Sequence, residues 1–203
     1  MTTATLQPPS ADTYITSTDP LENFDTSTLL AVGEASGGDV RYYVSLLKFT
    51  LSSIPANAVV SAATLSVYDP SSGDDGAQTM YCHRILKDWV SASTTWIKYN
   101  AADDWGGAGA ADATDRSGAA LGSVVMSNQA AGYEWQISLD TAVVQAMIAG
   151  TYPNYGFGLY VALTDTNKYH DLYSAEYATD TAKRPKLVIE YTAGSGGGGG
   201  FFF

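Results

Sequence analysis

Apolar residues recur at alternate positions through much of the chain, the period of strands with one buried face. Phe157, Leu159, Val161 and Leu163 share one side of a run whose other side is Gly158, Tyr160, Ala162 and Thr164. Leu47, Phe49 and Leu51 keep the same phase through 44–51, residues 64–68 alternate, and Pro185 opens a β-rich closing strand at 186–191. Shorter strands are predicted at 14–16, 29–32, 79–86, 133–139 and 169–174. Turn formers separate them: Asp19-Pro20, Gly37-Gly38-Asp39, Asp69-Pro70 followed by Gly73 and Gly76, and Asn154 before Gly156. The shared phase predicts a core of Leu47, Phe49, Leu65, Val67, Leu159, Val161, Leu187 and Ile189.

The period changes once. Asp140 can cap a helix over about 140–149, Gly150 stands where a C-cap belongs, and Val143, Val144, Met147 and Ile148 form an apolar stripe. So short a helix is marginal alone and is expected to pack over one end of a sandwich. From Ala101 to Gly122 the chain is rich in Ala, Gly and Asp and loses periodicity, as in an ordered excursion or a loop with a job. No fixed-period repeat is present. The expected architecture is a single all-β jelly-roll sandwich with one short helix, spanning 11–193. An N-terminal arm (1–10) precedes it, and a Gly-rich tail (194–203) ending in Phe201, Phe202 and Phe203 follows.

Charge narrows the function classes. Ten Lys and Arg stand against 21 Asp and Glu, a formal net charge of -11, so no basic field exists to attract a phosphate backbone. Nucleic-acid partners are not expected. One cysteine, Cys82, excludes an internal disulfide, and with only His83 and His170 beside it a Cys/His zinc site is excluded too. Any metal must be held mainly by oxygen. Asp103, Asp104, Asp112 and Asp115 cluster in the excursion and are the candidate ligands, for a structural calcium. No apolar run spans a bilayer, and Met1 to Pro9 carries neither the positive charge nor the apolar stretch of a signal peptide.

Catalytic chemistry finds little support. Cys82 and His83 are neighbours in a predicted strand, so their side chains point to opposite faces and cannot form a nucleophile–base pair. No Gly-x-Ser-x-Gly elbow exists, and no catalytic residue is assigned. Tryptophans can stack on sugar faces where they are exposed. Trp89 and Trp96 are expected in the core, while Trp105, beside Asp104 and Gly106-Gly107, is the candidate surface platform, with Tyr155 and Tyr169 as further candidate ligand-binding rings.

Several ordered segments together resemble the DNRLRE-type domains, β-sandwiches related to carbohydrate-binding modules and found on secreted and virion-associated proteins. They are Ala11-Asp12-Thr13-Tyr14-Ile15, residues 27–33, Leu47-Lys48-Phe49 through Ile54-Pro55, residues 63–68, His83-Arg84-Ile85, Asp88-Trp89, Thr94-Thr95-Trp96, and Arg184-Pro185-Lys186-Leu187-Val188. The sequence departs from that pattern at Thr50, where the family usually carries Asp, and at Ile97, where it carries Asn. The resemblance implies a non-catalytic module displayed outside the cell. Joined to the missing signal peptide, it leads to the expectation of a tailed-phage virion component, a capsid decoration or fibre-like protein on the virion surface. Its partners would be other virion subunits, held through the Phe201, Phe202 and Phe203 tail, and cell-surface glycans. The alternative is a carbohydrate-binding module of a secreted or cell-surface polysaccharide-active protein, and a free-standing hydrolase is the third class.

Overall fold

Alternating side chains fold here into eleven strands and one helix among the described residues. The structure, a computed structural model, describes residues 1–36, 40–70, 77–127, 129–161 and 168–194. The strands are β1 (Thr2–Leu6), β2 (Ala11–Thr16), β3 (Leu29–Ser36), β4 (Val40–Lys48), β5 (Val59–Asp69), β6 (Gln78–Arg84), β7 (Gly122–Met126), β8 (Tyr133–Ser138), β9 (Phe157–Val161), β10 (Lys168–Tyr173) and β11 (Lys186–Thr192). They form two antiparallel sheets. The smaller runs β1-β11-β5-β8, and the larger runs β10-β3-β4-β9-β6-β7 with β2 also paired to β4. This is the expected all-β sandwich.

The main core lies between the sheets. Leu47, Phe49, Leu65, Val67, Leu159, Leu187 and Ile189 are all buried in it, and Val161 packs half-buried at its margin. The single helix, α1 (Thr141–Ile148), is capped by Asp140, whose carboxylate accepts from the Ala142 and Val143 N–H groups at 2.8 and 3.3 Å. It turns Val144, Met147 and Ile148 into the same core, beside β5.

Two expectations change. The N-terminal arm expected over 1–10 is in part a strand: Thr2 to Leu6 pair with Tyr191 to Leu187, and Ala4 and Leu6 pack on the core. The strand β7 is also new; Val124 and Met126 turn inward from it. Leu163, the turn residues Gly37, Gly38, Asp39, Gly73 and Gly76, and the Phe201, Phe202 and Phe203 tail lie outside the described residues.

A second apolar cluster covers the far face of the larger sheet. Leu46 and Tyr160 belong to it while their neighbours Leu47 and Leu159 belong to the main core, and strand neighbours point to opposite faces. Residues 85–116 fold over this face and supply Ile85, Trp89, Trp105 and Ala110. The aperiodic excursion is therefore a lid on a sheet, with its own apolar underside.

Candidate functional site

One buried carboxylate organises the excursion. Asp115 is fully buried and accepts three backbone N–H groups, from Gly106 at 2.8 Å, Gly107 at 2.9 Å and Asp112 at 3.2 Å. Such charge-assisted bonds are roughly twice as strong as neutral ones, so the loop closes on a fixed centre. The other three candidate cation ligands are engaged elsewhere. Asp103 accepts from the Asn100 amide at 3.0 Å, and Asp104 pairs with Lys98 at 2.8 Å. Asp112 accepts from the Thr114 backbone N–H at 2.8 Å, and its bonds to Thr114 hold it below the usual carboxylate range. Among the described residues no three Asp, Glu, His or Cys side chains gather around a point that could hold a metal ion.

The tryptophans exchange their expected places. Trp105 is 5% exposed, its indole N–H donates to the Thr95 carbonyl at 3.0 Å, and its ring lies against Tyr99 in the second cluster. A buried ring has no face for a ligand, so the platform expected there is a core side chain. Trp89 is core as expected, donating to the Tyr155 carbonyl at 2.7 Å. That contact and the second cluster also hold Tyr155, which lines none of the groove described next.

Trp96, expected in the core, stands half-buried and stacked with Tyr42 of β4, ring centres 6.4 Å apart and planes 13° from parallel. Gly109 makes this possible. Its φ of +78° is left-handed, its N–H donates to the Trp96 carbonyl at 2.7 Å, and a Cβ there would collide with the indole.

Trp96 and Tyr42 border a cleft of about 270 Å3 that also meets Tyr43, Arg116 and Tyr160. At Tyr43 it adjoins a second cleft of about 260 Å3, walled by Tyr14, Tyr169 and Asp171. At Arg116 and Tyr160 it adjoins a third, of about 330 Å3, walled by Tyr81 and His83. The first and third, sharing Arg116 and Tyr160, form one groove on the face of the larger sheet that the excursion covers, whereas Tyr43, the strand neighbour of Tyr42, turns the second cleft to the opposite face. Tyr169, a ring expected from the sequence to meet ligand, is 40% exposed and stacks on Tyr43 at 5.5 Å. A wider depression of about 580 Å3, between the 50–56 turn and α1, has no tyrosine or tryptophan in its wall.

Arg116 sets the charge of the groove. Its guanidinium lies 4.0 Å over the Tyr160 ring, and among the described residues no carboxylate pairs with it. Burial raises the Tyr160 hydroxyl well above its ordinary range; its O–H donates to the Ala110 carbonyl at 3.1 Å. Burial also lowers His83, whose Nδ1 meets the Ser117 carbonyl at 2.8 Å and partly opposes that shift. His170 is buried against Asp69 at 3.2 Å, and burial pushes the Cys82 thiol up. Neither stands in the groove.

The model of carbohydrate-binding module family 96 matches residues 3–191, nearly the whole described sandwich. The chain belongs to that family. No curated protein matches it. The match supports the carbohydrate-binding part of the resemblance read from the sequence, and not the DNRLRE-type label in particular. It favours the glycan-binding module over the virion component; it gives no support to a decoration role, an oligomer or virion subunits as partners.

Proposed function

We propose that the groove binds a stretch of polysaccharide chain without cleaving it. The observation that carries this is the pairing, within one continuous groove, of the Tyr42–Trp96 stack with the Arg116–Tyr160 stack. Sugar rings present flat C–H faces that dry well against aromatic rings, and hydroxyls that need directed partners at their edges. The exposed aromatic faces supply the first. The planar Arg116 fork, pre-oriented by Tyr160, supplies the second, and would also pair with an acidic substituent.

A groove passing from Trp96 to Tyr81 suits an internal run of sugar units better than a single terminal one. Cleavage of a glycosidic bond normally calls on two carboxyl groups flanking it. No carboxylate is among the described residues of these walls, which supports a binding role.

Affinity electrophoresis against a panel of soluble neutral and acidic polysaccharides tests this. The purified chain should be retarded by at least one of them, and Trp96→Ala and Arg116→Ala should each reduce the retardation at least tenfold in apparent Kd. No retardation by any member, or retardation unaffected by both substitutions, would place the ligand elsewhere. Release of reducing ends by the intact protein would remove the non-catalytic reading.

A further inference from the structure

A second polar site lies where β2 meets the segment joining β10 to β11. Asp12 on β2 is 3% exposed, deep for a carboxylate. Its Oδ2 accepts the Ala175 N–H at 2.8 Å, whereas its Oδ1, equally shut from water, meets no donor. The side chain that reaches the Asp12 carboxyl is another carboxylate, Glu176. Burial pushes the Asp12 carboxyl up to about 8; the Ala175 bond opposes this and the Glu176 charge adds to it.

Arg184 offers only a weaker compensating charge, and its Nε already donates to the Tyr177 carbonyl at 2.8 Å. Two facing carboxylates, one with a bare buried oxygen, are costly unless a cation or a shared proton sits between them.

We propose that Asp12 and Glu176 hold a calcium ion. Both supply hard oxygen, neither ring nitrogen nor thiolate adjoins them, and calcium accepts an irregular set completed by main-chain carbonyls and water. Magnesium fits less well, because it demands a near-octahedral shell and gives up its water reluctantly. Glu176 is exposed, which leaves the ion a way in.

The bound ion fastens the N-terminal part of the larger sheet to the 174–184 segment. That segment is also held by the Ser174 hydroxyl on the Ser27 carbonyl at 2.7 Å and by the Gln7 amide on the Arg184 carbonyl at 2.7 Å. Ser27 and Tyr14, the latter two residues along β2 from Asp12, wall the cleft of Tyr43 and Tyr169. The ion therefore braces that cleft.

The test uses the full chain, stripped with a chelator and titrated with calcium chloride by calorimetry and thermal unfolding. The expected result is a single saturable site and a Tm raised by several degrees, with magnesium at the same concentration giving little change. Glu176→Gln, at an exposed position that the fold does not need, should unfold at or above the calcium-free wild-type Tm and lose the calcium response. Asp112→Asn, in the excursion, should keep it. A wild-type Tm indifferent to millimolar calcium would overturn the proposal, leaving a shared proton between the carboxyls. So would a response that survives Glu176→Gln, one that Asp112→Asn abolishes, or one that magnesium reproduces.

Discussion

Gly109→Ala would test whether the groove depends on the backbone position that seats Trp96. Gly109 has φ +78°, and left-handed backbone costs a residue with a Cβ roughly 1–2 kcal/mol. The new methyl also falls inside the Trp96 ring, so the indole must leave its place against Tyr42. Trp96 is half-buried and can swing toward solvent, so the fold should lose only about the backbone strain, roughly 1–2 kcal/mol, in urea unfolding. Binding should suffer more. Losing an aromatic anchor of a binding surface typically costs about 2 kcal/mol or more, a fall of at least tenfold in affinity. The assay is a double-mutant cycle with Trp96→Ala, read by affinity electrophoresis on whichever polysaccharide retards the wild type. If Gly109 acts through Trp96, the double substitution binds no worse than Trp96→Ala alone. Wild-type affinity in Gly109→Ala, or fully additive losses, would refute the reasoning.

Two further outcomes follow from burial. Trp105→Ala should destabilise the protein by about 3–5 kcal/mol in denaturant unfolding, because it empties a buried indole site and strips the Thr95 carbonyl of its donor; a loss under about 1 kcal/mol would show the ring to be dispensable. Burial lowers His83 below its ordinary 6.5, so the unfolded chain binds this proton more readily than the folded one. The His83 share of stability is therefore complete above about 6.5 and declines as pH falls through that value. His83→Gln should flatten the Tm–pH curve between about pH 7 and 5, and an unchanged slope would contradict the assignment.

What could be read from the sequence was what local periodicity encodes. Leu159 and Ile189 announce their faces by alternation alone, and Asp140 with Gly150 brackets the helix because capping is a contact between near neighbours. β1 escaped because Thr2-Thr-Ala-Thr-Leu6 carries only Ala4 and Leu6 toward the core; its stability comes from the ladder to β11, about 180 residues away. The groove was less legible for the same reason. Beside two glycines and an aspartate, Trp105 reads as exposed, yet those glycines give their N–H groups to Asp115 and the chain folds the indole under. Trp96 sits in a stretch resembling filler, and only Tyr42, over fifty residues earlier, reveals it as a wall. Arg116 carries no mark in the sequence, since its stacking on Tyr160 has no sequence signature.

The pairing of β1 with β11 also fixes how the module responds to mechanical load. Thr2 lies opposite Tyr191 and Leu6 opposite Leu187, so the two outer ends of the ladder leave the sheet side by side. Pulling those ends apart opens the ladder like a zipper, one rung at a time, beginning at Thr2. A pull along β11 from its outer end, with the rest of the sandwich held, meets a different resistance. It drags β11 lengthwise between β1 and β5, so many rungs bear the force together. The same fold is thus weak when the outer ends of the ladder are drawn apart and strong when β11 is drawn along its own length.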